Sequence, residues 1–232
     1  MSARLAVLAV TLGGCDIVVG LEHVGPPGSG VDAAQDTAPS GCLVERFDDG
    51  VIDPTRWDVV SPGNATVMLS EENNGLVARI TPGQNAYNGI ASKQTFDMVG
   101  GSLEIMVTPA YMGGFVETIV TLDVSSLAQF IVSAGAGNFN LKWVINSIPT
   151  SMYIPYTADM KIWRIEHRAS TQQIVVQTST DGTIWTDRLS AMTPYTPTTA
   201  KVELLAGEYN TGLPVATSAR WEALRVISAE CP

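Results

Sequence analysis

From Leu43 to Ile227 apolar and polar residues alternate with a period of two, the spacing at which a strand turns one face to a core and the other to water. Ser102 to Thr108 places Leu103, Ile105 and Val107 on one side, and Val116, Thr118, Val120 and Leu122 form a second stripe. Further strands are expected at Trp57 to Val60, Leu76 to Thr81, Gly89 to Phe96, Gln129 to Ser133, Phe139 to Asn146, Lys161 to Arg168, Ile174 to Ser179, Ala200 to Gly207 and Arg220 to Ile227. Ile148 to Tyr156, with Pro149 and Pro155, reads as a proline-bearing loop. Asn73-Asn74-Gly75 and Asp181-Gly182 supply residues that accept positive φ, as tight turns between twisted strands require. No 3.6-residue stripe and no internal repeat interrupts the series, so the expectation is an all-β antiparallel sandwich of two sheets.

The first forty residues follow other rules. Arg4 precedes Leu5 to Leu12, an apolar run far shorter than the about 20 residues a transmembrane helix needs. A basic residue, a short apolar run and small residues after it make a secretory signal. Leu12-Gly13-Gly14-Cys15, directly after that run, resembles a bacterial lipobox. The resemblance implies cleavage before Cys15, a lipid on its sulfur, and an exported lipoprotein held at the outer membrane, on its periplasmic face or at the cell surface. Residues 16–41 contain no Lys or Arg and include Gly25-Pro26-Pro27-Gly28-Ser29-Gly30, too little apolar surface to order a segment. They read as a flexible stalk that holds the domain roughly 30 Å from the lipid. The expected division is therefore signal 1–14, lipidated stalk 15–41 and one domain 42–232.

Three cysteines are an odd number for an exported chain. Lipidation of Cys15 leaves Cys42 and Cys231, which bracket the domain and are expected to pair in an oxidising compartment, making the first and last strands neighbours. Thirteen Lys and Arg against twenty-three Asp and Glu give a net charge of -10, which repels phosphates and excludes nucleic acid as a partner. The same charge keeps the protein dispersed, and a monomer is expected.

Glu45 to Trp57, containing Phe47-Asp48-Asp49-Gly50 and ending in Trp57, resembles the opening of concanavalin A-like lectin/glucanase jelly rolls, a class that includes laminin-G-like domains. Gly100-Gly101-Ser102-Leu103-Glu104-Ile105-Met106-Val107 looks like the central strand of that family, and Trp163 to Glu166 with Ile174 to Trp185 looks like its late hairpin. Trp221-Glu222-Ala223-Leu224-Arg225-Val226 resembles its closing strand, which pairs beside the first. The likeness implies a jelly roll over most of residues 43–229 and a carbohydrate-related role.

The glucanases of this fold carry Glu-x-Asp-x-x-Glu on one strand, because a period of two puts the carboxylates on one face at the scissile bond. Glu117 has Ile119 where the aspartate would stand, and Glu104 has Met106, so the chain is expected not to be an enzyme. Ser179 to Trp185 is one residue shorter than a sialidase Asp box and occurs once; a hairpin whose Asp caps the turn and whose Trp packs back accounts for it. His167 is the domain's sole histidine, which leaves a His-based zinc site or a Ser-His-Asp triad without material, and on its strand it reads as a core residue. No phosphate-binding Gly-x-x-x-x-Gly-Lys loop and no Gly-x-Ser-x-Gly elbow occurs, so no cofactor is expected. A structural calcium on Asp48, Asp49 and Asp53 is the exception the family resemblance allows, against ordinary turn-capping by the same aspartates.

Sugar binding needs flat aromatic faces against pyranose C–H groups, ringed by amides and carboxylates. The aromatic candidates are Tyr111, Trp143, Tyr153 and Tyr156, each of which core or edge packing also explains. The expectation is thus a lipid-anchored envelope module that binds carbohydrate. The rivals are a structural or adhesive lipoprotein that binds an envelope protein and, last, a hydrolase with a site of another kind.

Overall fold

The computed structural model describes residues 42–60, 67–81, 86–110, 116–125, 127–209, 216–228 and 231. Cys15, the stalk and Tyr111 lie outside them. Every regular element described is a strand: β1 (Leu43–Glu45), β2 (Trp57–Val60), β3 (Val67–Glu71), β4 (Leu76–Ile80), β5 (Ala86–Ser92), β6 (Ser102–Thr108), β7 (Val116–Ser125), β8 (Ala128–Gly135), β9 (Asn138–Ile145), β10 (Ile148–Pro155), β11 (Ile162–Arg168), β12 (Gln173–Ser179), β13 (Thr186–Met192), β14 (Lys201–Glu208) and β15 (Thr217–Ile227). They form two antiparallel sheets. The eight-stranded sheet runs β13-β12-β11-β6-β15-β4-β3, with β1 beside β15, and the seven-stranded sheet runs β10-β9-β8-β7-β14-β5-β2.

The alternation read from the sequence is what holds the layers together. Leu103, Ile105 and Val107 of β6 face Val116, Thr118, Val120 and Leu122 of β7 across a single buried layer. Trp163 of β11 meets Phe139 of β9 edge-on, ring centroids 5.1 Å apart, so one aromatic contact joins the two sheets. Trp221, Phe47, Phe96 and Phe130 are likewise fully buried. The sandwich and the turns at Asn73-Asn74 and Gly182 agree with expectation, since all three residues have positive φ. Asp181 Oδ1 accepts the N–H groups of Thr183 and Ile184, and the Trp185 ring packs under the Arg164 guanidinium at 3.7 Å, so this hairpin is the capped turn foreseen.

β3 and β13 are strands that the sequence reading did not place, and two further features differ from it. Ile148–Pro155 is a strand and not a loop. Tyr156 N–H bonds to Gly137 C=O, and this phase of the β9–β10 ladder turns the backbone N positions of 149, 151, 153 and 155 away from β9. Pro149 and Pro155 therefore cost no ladder bond, the one setting in which a strand tolerates proline. His167, read as a satisfied core residue, is buried but only half satisfied. Its Nδ1 accepts the Gly100 N–H at 3.3 Å, while Nε2 has no partner among the described residues, and burial pushes its pKa down.

Cys42 and Cys231 form a disulfide with Cα atoms 5.9 Å apart and a sequence separation of 189. It ties β1 to the end of β15, whose residues Leu43 and Val226 are partners in the ladder. Closing so long a loop restricts the unfolded chain by up to about 5 kcal/mol in the chain-entropy description. The double variant C42S/C231S is expected to lose most of that stability while keeping its strand content at 25 °C, as checked by urea unfolding followed by circular dichroism.

Candidate functional site

Parity along each strand decides which side chains reach the outer face of the seven-stranded sheet. On β7 the core takes Val116, Thr118, Val120 and Leu122, so Glu117, Ile119, Thr121 and Asp123 point outward. Ladder registers then place β14 residues Lys201, Glu203 and Leu205 opposite Asp123, Thr121 and Ile119. On the other side of β7, β8 presents Gln129, Ile131 and Ser133, β9 presents Asn140 and Lys142, and β10 presents Ser151 and Tyr153. Thr121 is 2% exposed and Ser133 3%, although both face away from the core. Polar residues sunk this far at mid-sheet form a floor, with longer charged and amide side chains around it.

Electrostatics on this face are set by burial. Glu203 is pushed above the usual carboxylate range by burial and then by Asp123, with Lys201 opposing. Asp123 is raised by burial, while a hydrogen bond from Gln129 and the charge of Lys201 pull it back. These two acids come from adjacent strands and sit diagonally across the ladder, roughly 7 Å apart at Cβ. Further along, Tyr87 donates its hydroxyl to Glu117 Oε2 at 2.9 Å, and burial with that carboxylate pushes the phenol's pKa up. Asn140 Oδ1 is buried with no donor among the described residues. Beside the acids, Thr95, Asp123, Gln129, Thr199 and Lys201 line a cavity of about 510 Å³.

Of the aromatic candidates among the described residues, only Tyr153 reaches this face. It is 72% exposed and is the ladder partner of Asn140. Trp143 shares the parity of Phe139 and Leu141, so it packs against the core from the inner side of β9. Tyr156 also packs on the core, and its hydroxyl donates to Met160 C=O at 3.2 Å. Tyr111 falls outside the described residues. Trp143, Tyr153 and Tyr156 therefore do not share a groove. Sequence reasoning missed Glu203, Asp123 and Asn140, whose meeting depends on cross-strand register; the available signal was their parity opposite the core residues of each strand.

The calcium candidates are engaged locally. Asp53 Oδ1 accepts the N–H and hydroxyl of Thr55, and Asp49 Oδ1 accepts the Val51 N–H, which are turn-capping contacts. Among the described residues no three His, Cys, Asp or Glu side chains converge in a way that holds a metal. Glu71, near Asp49, is pushed up to about 8 by burial and by that neighbour.

No protein-family model matches the chain, and no curated protein does. Solved structures do. A β-glucanase of Bacillus licheniformis superposes with a TM-score of 0.61 at 15% identity, covering 83% of this chain and 100% of the glucanase. A structure reported under endo-acting O-glycanases that initiate mucin breakdown, from human gut microbiota, gives 0.62 at 12% identity, with 81% and 99% covered. The catalytic domain of an endo-1,3-β-glucanase, a laminarinase from Thermotoga petrophila, gives 0.59 at 12%, with 81% and 97% covered. At these identities the likeness establishes the fold, a concanavalin A-like jelly roll. It also corrects the expectation that the chain is not an enzyme. That expectation rested on one strand lacking Glu-x-Asp-x-x-Glu, yet the chain carries the whole scaffold of endo-glucanases, and its sheet draws carboxylates together from two strands.

Replacing Lys201 by Met removes the one charge that lowers both acids. Glu203 and Asp123 are then expected to titrate at still higher pH, read by carboxyl ¹³C shifts; unchanged midpoints would separate the lysine from the pair.

Proposed function

We propose that this chain is an exported lipoprotein, anchored through Cys15, whose seven-stranded sheet takes carbohydrate on its outer face. The observation that carries the reading is a buried acceptor without a donor, Asn140 Oδ1, next to the exposed ring of Tyr153 on a polar floor. A pyranose brings both complements: C–H groups for the ring and hydroxyl donors for the amide oxygen. An unsatisfied buried acceptor costs about 1–3 kcal/mol until such a donor arrives, so the free protein is prepared for a hydroxylated ligand. Glu117, Glu203 and Asp123 supply further acceptors along the same face. The similar structures, among them a β-glucanase and one described with endo-acting O-glycanases of mucin breakdown, support the same ligand class. Anchoring rests on the lipobox-like Leu12-Gly13-Gly14-Cys15 behind its apolar run.

A second reading, glycoside hydrolysis, is favoured by the Glu203–Asp123 pair. Hydrolysis needs one carboxylic acid to protonate the leaving oxygen and one carboxylate to take a proton from the attacking water. Glu203, raised by both burial and Asp123, fits the acid; Asp123, held by Gln129, fits the base.

Three outcomes are expected. Glycan-array binding falls at least about tenfold on Tyr153→Ala or Asn140→Ala, and binding that survives both changes removes the ligand from this face. If glucan chains are cut, Glu203→Gln slows release of reducing ends by about 100-fold or more, while full rates in that variant reject the pair. Labelled palmitate enters the wild-type chain in cells and not Cys15→Ser; equal labelling disposes of the anchor.

A further inference from the structure

Among the described strands the two sheets end in β13, β3, β2 and β10, with the three-residue β1 as a further short edge beside β15, and most of these edges are guarded against pairing with another chain. On β13, Asp187 and Arg188 are charged, and its ladder with β12 is broken by a register shift at Val176 and Gln177. β2 is four residues long and carries Asp58, which pairs with Lys93 at 3.3 Å. β3 is five residues long and ends in Glu71. Short strands, charges, bulges and edge prolines are the usual devices that keep an edge from recruiting a partner strand.

β10 has only the prolines, Pro149 and Pro155, and they flank the outward N–H groups of Ser151 and Tyr153 without removing them. It runs eight residues, Ile148 to Pro155, without a charge, and seven of the eight are exposed. Because its inner-face residues Ile148, Thr150 and Met152 are exposed as well, the strand overhangs the opposite sheet and offers apolar side chains on both faces. Its outward backbone groups are those of residues 149, 151, 153 and 155, of which only Ser151 and Tyr153 have an N–H. These positions are symmetric about Met152.

From this we infer that β10 is an interface between two copies of the chain, joined antiparallel about a two-fold axis at Met152. In that register Ser151 opposes Tyr153 of the second copy and the reverse, giving four N–H···O=C bonds that use every outward non-proline group. Pro149 falls opposite Pro155 of the other copy, where no donor is lost. Other registers leave the Tyr153 or Ser151 carbonyl facing a proline. Charge also favours a second copy at this edge: two chains of net charge -10 repel over most of their surfaces, but β10 brings no like charges into opposition. Both edges are consumed in the pair, so the assembly closes as a dimer, and the prolines at each end prevent it from extending. This replaces the monomer expected from the sequence; Tyr153 enters the pair through its backbone, which leaves its ring on the outer face.

Sedimentation of the full chain carrying Cys15→Ser, over a hundredfold concentration range up to about 1 mM, tests it. A monomer–dimer equilibrium is expected. Ser151→Pro removes one outward N–H without touching the β9 ladder. Met152→Glu sets two carboxylates opposite each other in the dimer, while within one copy two arginines, Arg168 and Arg188, and one acid, Asp187, line the same cavity as residue 152. Each variant is expected to weaken association about tenfold or more with an unchanged melting curve, and Met152→Cys to cross-link two copies under mild oxidation. A wild-type chain that stays monomeric throughout, or a dimer indifferent to Met152→Glu and not cross-linked by Met152→Cys, overturns the proposal.

Discussion

The structure depends on one apolar layer between two sheets, and on the rule that neighbouring residues of a strand cannot both enter it. Val120 and Leu122 go in at 0% exposure, so Thr121 must come out, and the same rule on β14 sends Glu203 out between Val202 and Leu204. The outer face is the complement of the core, written by the same alternation. A residue's chance of taking part in binding is thus decided first by parity and only then by its chemistry.

This explains what was legible in the sequence. Strands with one clean apolar stripe, such as β6 and β7, announce themselves because every second residue is aliphatic. β13 did not, since an edge strand with Leu189 and Ala191 as its buried members looks mostly polar. β10 was hidden by its prolines, whose compatibility with a strand depends on which side of the ladder their nitrogens face, a property of pairing and not of composition. The β9–β10 turn gave no warning either, because Asn146 and Ser147 both take positive φ and serine is an unusual choice there.

The candidate site was less readable than the fold for a related reason. Aromatic residues drew attention by type, yet Trp143 was already marked as a core residue by its spacing from Phe139 and Leu141. The acids of the outer face stand about eighty positions apart in the chain, so no local motif contains them. A glucanase motif on one strand is a compact way to gather carboxylates, and cross-strand register is another that leaves no trace in a linear scan.

The strand β15 sits in the middle of its sheet, between β6 and β4 and also bonded to β1, although it is the last strand of the chain. Until residues 217–227 emerge from the ribosome, β13-β12-β11-β6 and β4-β3 are two half-sheets with nothing to bridge them. Pairing partners so distant in sequence make closure of this sheet wait for β15, so its two halves are joined last and by contacts of long range.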